Sequence, residues 1–281
     1  MQIYIVSLTG AVRRKLAVFV VSLALVGLIF GSYKLLGEDF IATVTGESKL
    51  RPIYSVDIGE QKLAISFDAC WGAEHTRALL ATLKEYNVKT TFFLVNIWIK
   101  DYPELVKEIV AEGHEIGLHS TTHPDFAKLT EIQMKQELAD NYEAIENISG
   151  FKPILFRPPF GSYNNTMIKV AEEMGIHCIQ WDVDSLDWKD LSASEIHKRI
   201  ADRVKPGSIV LMHNNGKHTL EALPSILKTL QSRGYQIVPI SELIYLENYY
   251  VDHQGVQKRA SQPKFTLTDK YQWLCYNTID I

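Results

Sequence analysis

The chain has 281 residues, 46% of them hydrophobic, and a formal net charge of -4. This slight acidity provides no basic surface for nucleic acid, so we predict no nucleic-acid partner. Three cysteines, Cys70, Cys178 and Cys275, are too few for a disulfide framework, and without a CxxC pair they do not indicate a zinc knuckle.

Residues 1–36 are predicted to be a short cytoplasmic segment followed by a membrane anchor. A basic cluster at 13–15 precedes the uncharged run 16–33, whose length is at the lower limit for a helix that crosses a bilayer. The positive-inside rule then predicts that the rest of the chain lies outside the cell membrane. A cleaved signal peptide is the alternative, although residues 31–34 form a poor cleavage site. Both interpretations predict export.

Residues 37–61 are predicted to be a linker and lead-in, after which short apolar runs alternate with amphipathic segments. The predicted strands are 62–67, 90–95, 115–119, 154–156, 178–181, 208–212 and 236–240. The predicted helices are 74–86, 102–112, 131–148, 165–174, 193–204 and 220–233. This alternation is typical of parallel strands linked by crossover helices.

We therefore predict an α/β fold, a distorted (β/α)7-type barrel over residues 62–246, beside the N-terminal transmembrane anchor. An open doubly wound sheet is the alternative. No glycine-rich phosphate loop follows a strand, so the sequence does not support a dinucleotide site. Residues 247–281 lack the strand-helix rhythm and are predicted to be a C-terminal tail that wraps the domain or is partly disordered.

Polar residues follow the predicted strands at their carboxyl ends, where parallel barrels place their active sites. These residues are Asp68, His119, Arg157, Asp182, Asp184 and His213. One such residue is consistent with a helix cap, but five strand ends that supply aspartate, histidine and arginine indicate a functional site.

The segment HSTTH places His119 and His123 four residues apart. If the segment turns helically, both imidazoles lie on one face and can bind a divalent cation; two solvated histidines are the alternative. Asp68 emerges from an apolar strand, where a carboxylate can act as the base on a metal-bound water. The proline-rich loop FRPPFGSY can hold Arg157 rigidly in place to orient Asp68.

The segment WDVDSLDW, residues 181–188, supplies three carboxylates and two indoles. The tryptophans suggest a wall that stacks on a sugar or lines an acetyl pocket, and an acidic surface loop is the alternative. His213 ends the motif LMH and can protonate a leaving amine.

Together these residues resemble the polysaccharide deacetylase family, which shares the chitooligosaccharide deacetylase domain. Five motifs occur in the family's order: FDA (67–69) against the family's F-D-D, HSTTH (119–123), RPPFG (157–161), DSLDW (184–188) and LMH (211–213). The anchor, SFDACWG (66–72) and ENYYVDH (247–253) are similar to the sporulation-associated branch of Gram-positive bacteria.

The resemblance implies a hydrolase that removes acetyl groups from N-acetylglucosamine or N-acetylmuramic acid in peptidoglycan, the predicted cell-wall glycan partner. His119 and His123 would hold a divalent metal, zinc or cobalt. Asp68 would take a proton from the metal-bound water, and His213 would protonate the departing amine.

The resemblance also implies supporting roles. Arg157 would position Asp68, and Asp184 or Asp187 would tune Arg157 or His213. Trp188 would line the acetyl pocket, and a backbone N–H near Tyr163 would share the oxyanion with the metal. The remaining implied substrate-binding residues are Pro158, Phe160, Gly161 and Leu211.

One residue departs from the family pattern. Ala69 replaces the second aspartate, the usual third metal ligand, and a methyl group cannot coordinate. Strand alternation is expected to turn Cys70 to the face opposite position 69, and His75 lies further along, so both are weak substitutes. Two other functions therefore stay open: a non-catalytic glycan-binding or sporulation scaffold that has lost its metal, and a hydrolase for another acyl amide.

Overall fold

The computed structural model describes residues 48–260 and, in the N-terminal segment, residues 14–15, 18–25 and 28. The chain divides into two compact units, Met1–Lys49 and Leu50–Ile281, and the second contains the predicted barrel. In the first unit, residues 14–15, 18–25 and 28 are helical. Among the described residues, we find no helix with the length and apolar character needed to cross a bilayer. Much of the predicted anchor, residues 16–33, lies outside the described residues, so the anchor stays a prediction.

Two sheets occur in residues 48–260. The strands are β1 Ser55–Val56, β2 Lys62–Ala69, β3 Thr91–Leu94, β4 Glu115–Leu118, β5 Leu155–Phe156, β6 His177–Cys178, β7 Val183–Asp184, β8 Ile209–His213, β9 Gln236–Ile237, β10 Tyr249–Val251 and β11 Val256–Arg259. The main sheet has the order β6-β5-β4-β3-β2-β8-β7, with β9 beside β2, and its pairings are parallel. The small sheet has the order β1-β11-β10.

The main sheet curls because one continuous segment, residues 177–184, contributes to both of its edges. Its first part, β6, pairs with β5, and its second part, β7, pairs with β8. Between them the Asp182 amide donates to the Ile209 carbonyl at 3.2 Å. A curled parallel α/β sheet is thus confirmed, and the open doubly wound alternative does not fit these pairings.

Amphipathic helices cover the sheet. They are α1 Thr76–Glu85, α2 Asn96–Asp101, α3 Pro103–Ala111, α4 Glu131–Ser149, α5 Asn165–Glu173, α6 Ala193–Ala201, α7 Thr219–Ser232 and α8 Ile240–Leu243. Capping boxes begin α4 at Thr130 and α6 at Ser192, which fixes where both helices start. The central strands β2, β3 and β4 are buried almost throughout, as expected for parallel strands between two apolar layers.

All seven predicted strands and six predicted helices are present, but several further elements were missed. The helices α2 and α8 have six and four residues and β7 has two, too few for an apolar pattern to repeat several times. The strands β10 and β11 were also missed; they form a hairpin in the predicted tail, and β11 pairs with β1 from the predicted linker. Residues 261–281 lie outside the described residues.

Candidate active site

The carboxyl ends of the strands open into a cavity of about 730 Å³. Eleven residues predicted for the site line it: Asp68, His119, His123, Pro158, Phe160, Gly161, Asp184, Asp187, Trp188, Leu211 and His213. Arg157 lies behind this wall and is fully buried. Tyr163 is not among the residues that line the cavity; its hydroxyl accepts a hydrogen bond from Arg51 at 3.0 Å and is 3.5 Å from the Tyr54 hydroxyl.

Asp68 is held by a buried ion pair at the end of β2. Arg157 Nη1 donates to Asp68 Oδ1 at 2.7 Å, and Arg157 Nη2 donates to the Gln180 carbonyl at 3.2 Å. The guanidinium lies over the Phe93 ring at 4.2 Å, which keeps it flat and in place. Burial alone would raise the pKa of Asp68, but Arg157, His119 and His213 together hold that pKa below its ordinary value. Asp68 is therefore an ionised carboxylate with Oδ2 free to accept a proton.

His119 is oriented from two sides. Its Nδ1 lies 2.7 Å from the Arg157 carbonyl, which makes Nδ1–H the donor and leaves the Nε2 lone pair facing Asp68, 3.7 Å from Oδ2. Its backbone N–H donates to Asn141 Oδ1 at 2.9 Å. Burial lowers the pKa of His119, so the imidazole is neutral and can act as a metal ligand.

His123 reaches its neighbour by a route that the sequence did not predict. Residues 119–123 are not helical; instead Ser120 and His123 adopt positive φ angles of 78° and 58°. Glu137 accepts hydrogen bonds from the Thr121 and Thr122 amides, both at 2.8 Å, and fixes this loop. The two imidazole centroids are 5.0 Å apart, so the rings meet without the helical turn on which their meeting was conditional. Burial, with His119 beside it, lowers the pKa of His123 to about 4.

His213 ends β8 directly beside Asp68, its register partner on β2. Asp187 Oδ1 lies 2.7 Å from His213 Nδ1, while Asp187 Oδ2 accepts from the His213 amide at 2.8 Å and from Thr219 Oγ1 at 2.6 Å. Burial would lower the pKa of His213, but the hydrogen bond and charge of Asp187 raise it above its ordinary value. Asp187 thus keeps the imidazole protonated to a higher pH than an ordinary histidine, and in that form it can donate from Nε2.

The other two aspartates of this segment have different partners. Asp184 lines the cavity, and its Oδ1 accepts from the Leu186 amide at 2.8 Å. Of the two predicted candidates, Asp187 is thus the one that contacts His213. Asp182 accepts from Ser208 Oγ and the Ile209 amide, both at 2.9 Å, and ties β8 to the segment between β6 and β7.

Aromatic side chains form the rim of the cavity. Trp71, Phe160 and Trp188 are 63%, 72% and 56% exposed, unusual values for such large apolar groups. Phe160 adopts a positive φ of 59° and packs edge-on against the His123 ring at 4.6 Å. The Trp71 ring also packs against His123, with the ring centroids 5.1 Å apart. Exposed rings around a cavity that carboxylates and imidazoles also line are suited to stacking on a sugar.

Sequence reasoning missed three contributors to the site. Asn141 occupies the buried face of α4 with Met134, Leu138 and Ile145, and an amide on an apolar stripe is the signal that would have found it. Trp71 gives no periodic signal because it lies in a loop.

Cys70 is the third contributor, and the prediction that it points away from the metal site is wrong. Side chains alternate between the two faces of a strand, so residues two apart share a face. Cys70 is therefore on the face opposite Ala69, which is the face of Asp68. The thiol lines the cavity, and burial together with Asp68 raises its pKa well above the ordinary value.

The sequence profile described as "Polysaccharide deacetylase" matches residues 55–179. The peptidoglycan-N-acetylglucosamine deacetylase PgdA of Listeria monocytogenes is 36% identical over 72% of this chain and 42% of its own length. A peptidoglycan-N-acetylglucosamine deacetylase of Bacillus cereus is 32% identical over 68% of this chain and 92% of its own length. The chain spans only 60% of a further relative, YlxY of Bacillus subtilis.

A solved structure from Bacillus anthracis, a CE4 family pseudoenzyme, is 32% identical, covers 74% of this chain and 70% of its own, and has a TM-score of 0.67. A mutant of that pseudoenzyme is described as having restored enzymatic activity. With the fold, the order of the motifs and these relatives in agreement, the chain belongs to the polysaccharide deacetylase family.

Proposed function

We propose that this chain is a carbohydrate N-deacetylase that hydrolyses the acetamido groups of N-acetylglucosamine or N-acetylmuramic acid in peptidoglycan. The observation that carries the proposal is the pair Asp68 and His213. They lie side by side at the ends of neighbouring strands, line one cavity, and have pKa values displaced in opposite directions. A base that is ionised next to an acid that stays protonated is the arrangement that general acid-base catalysis needs.

The reaction follows from these two groups. Asp68 Oδ2 accepts a proton from water as the water oxygen bonds to the acetamide carbonyl carbon. His213 Nε2 then donates a proton to the nitrogen as the carbon–nitrogen bond breaks, which leaves acetate and a free sugar amine. Arg157 keeps Asp68 in one orientation throughout, and Asp187 stabilises the positive charge of His213.

The donor groups present fit a divalent metal. His119 and His123 are neutral, adjacent imidazoles, and such nitrogen donors suit zinc or cobalt. These two residues would hold the ion, and the Arg157 carbonyl would keep His119 in the ligating tautomer. When bound, the ion supplies Lewis acidity that polarises a carbonyl and makes water a better acid.

The experiment is acetate release by the purified full-length chain from peptidoglycan fragments and chitooligosaccharides. We expect acetate and an equal amount of free amine, and a loss of about 10²- to 10⁴-fold in rate for Asp68→Asn, which removes the base. Asp202→Asn is the matched control, because Asp202 is an exposed residue at the end of α6 and should leave the rate unchanged. Full activity in Asp68→Asn would refute the assignment of the base.

Ala69 and the similarity to a CE4 family pseudoenzyme favour a second candidate, a non-catalytic glycan-binding or sporulation scaffold. Assays of glycan binding, acetate release and metal content distinguish the two functions. A scaffold would bind peptidoglycan but release no acetate, contain no stoichiometric metal, and be indifferent to chelator.

We also propose that the domain acts outside the cell membrane, attached through residues 16–33. The basic cluster at 13–15 and the uncharged run that follows support this location. Protease added to intact cells should then digest the domain while a cytoplasmic marker survives. Recovery of the undigested domain with the cytoplasmic marker would contradict it.

A further inference from the structure

Cys70 lies where it can contact the same ion as the two histidines. Cys70 Sγ and one ring nitrogen from each of His119 and His123 all lie within 4.8 Å of one another, the one such cluster in the described part of the chain. At a tetrahedral ion, bonds of about 2.0 to 2.3 Å place neighbouring donor atoms about 3.5 Å apart, so small side-chain rotations would bring these three donors onto one ion. Cys70 is 7% exposed and lines the same cavity as Asp68.

The loop that carries Cys70 is held in place. Gly72, two residues further on, adopts a φ of 65°, and a Cβ there would lie 2.2 Å from Asn215 Nδ2. The Gly72 carbonyl accepts hydrogen bonds from Trp98 Nε1 at 2.8 Å and from Asn214 Nδ2 at 2.9 Å. The thiol is therefore presented to the histidines by an ordered segment, and binding an ion would require little rearrangement of the backbone.

We propose that Cys70 is the third protein ligand, so that Cys70, His119 and His123 form a metal site of one thiolate and two imidazoles. The inference rests on the proposed function for the role of the ion, but the site would bind metal whether or not the chain hydrolyses a glycan. Three protein ligands leave a fourth tetrahedral position open, as catalytic zinc sites do. The donor that Ala69 lacks is thus supplied by its neighbour in sequence.

The donor set also determines which ions the site selects. A thiolate is a soft ligand that favours zinc and cobalt, whereas magnesium and manganese prefer carboxylate, carbonyl and water oxygens. We therefore expect zinc to displace cobalt, and a large excess of magnesium to displace neither.

The test is cobalt and zinc binding by the purified full-length chain, with Cys70→Ser compared against Cys178→Ser. Cys178 is also a buried free cysteine, but it lies in β6 and does not line the cavity, so it is a matched control. The wild-type chain and Cys178→Ser should bind one ion, with a thiolate-to-cobalt charge-transfer band in the near ultraviolet. Cys70→Ser should lose the band and bind zinc about tenfold or more weakly, since even an outer-shell change costs that much. Circular dichroism and thermal melting check that each variant is folded.

Three results would overturn the proposal: cobalt binding without a charge-transfer band, zinc affinity that is equal in Cys70→Ser and wild type, or no metal binding by the folded wild-type chain. The site and the enzymatic function fail separately. If the wild-type chain binds cobalt through the thiolate but releases no acetate, the metal site is supported and the deacetylase function is refuted. If Cys70→Ser releases acetate at the wild-type rate, the deacetylase function is supported and the assignment of Cys70 as a ligand is refuted.

Discussion

Two buried carboxylates at opposite ends of the same sheet show how position and partners decide a residue's role. Asp68 ends β2 at the cavity, is paired with Arg157 and has a lowered pKa. Glu115 begins β4 at the other end, accepts from Thr91 Oγ1 at 2.6 Å and from the Ser241 amide at 3.2 Å, and has a pKa raised by burial. The neutral hydrogen-bond donors around Glu115 do not offset the rise in pKa that burial causes, whereas the guanidinium beside Asp68 does. The carboxylate proposed as the base is kept ionised, and the other ties strands together.

The largest expected difference is in activity. Asp68→Asn should lower acetate release by about 10²- to 10⁴-fold, because an amide cannot accept the proton from water. Glu115→Gln should leave the rate within about twofold, because Glu115 does not contact the cavity. Side-by-side kinetics of the two variants check the comparison, and equal losses would mean that both carboxylates act only through the fold.

Arg157→Lys tests whether the partner of Asp68 matters beyond its charge. A lysine keeps one positive charge but loses the second contact, to the Gln180 carbonyl, and the packing over Phe93. We expect a loss of about 10- to 100-fold in kcat, with KM changed less, and destabilisation of about 2 kcal/mol, since a hydrogen bond from a charged group is lost while the charge stays. Denaturant unfolding gives the stability. An unchanged kcat in a folded variant would show that Asp68 needs no orientation.

Trp188→Ala should have a moderate effect, confined to substrate binding. Trp188 lies on the rim, and Lys189 Nζ is 4.7 Å from its ring. Removing a ring that stacks on a sugar costs about 1 kcal/mol, so KM should rise about fivefold while kcat changes little. Tyr250→Ala is the control, since it is a similarly exposed aromatic residue on β10 outside the cavity. Equal KM values for Trp188→Ala and wild type would remove this residue from the binding surface.

The smallest expected effect concerns pH and stability. Because burial raises the pKa of Glu115 above its ordinary 4.5, the native chain keeps that proton to a higher pH than the unfolded chain does. Stability from this group is therefore present below pH 4.5 and is lost as the pH rises through the raised value. Glu115→Gln should remove that decline and change the free energy of unfolding by about 1 kcal/mol. Urea titrations across this pH range measure it, and an identical decline in both proteins would contradict the assignment.

The parts of the fold with long-period patterns could be predicted from sequence, and those without could not. Apolar runs such as 62–67 and the stripe of α4 predicted their elements because burial on one side repeats over several residues. β7 and the β10–β11 hairpin depend on pairing with distant strands, which no local pattern encodes. The end of the sheet that holds the site was predictable, because parallel strands bring their carboxyl ends together.

The detailed geometry of the site was less accessible. The sequence predicted that the imidazoles of His119 and His123 meet if the segment between them turns helically. In the structure they meet through two positive φ angles, in a loop that hydrogen bonds to Glu137 hold in place. The orientation of Cys70 was predicted wrongly because its side chain was compared with that of Ala69, which lies on the opposite face, and not with that of Asp68, which lies on the same face. Such details depend on side-chain hydrogen bonds between residues far apart in the chain, and composition and spacing do not specify them.

The measurement that tests the central claim most directly is the pH dependence of kcat/KM for acetate release by the wild-type chain and by Asp187→Asn. If His213 is the acid and Asp187 raises its pKa, wild-type activity should decline only above pH 6.5. Without the Asp187 charge the pKa of His213 falls, so in the variant the decline should move to lower pH, along with a rate loss of about 10²-fold. An alkaline decline at the same pH in both proteins would show that His213 does not supply the proton.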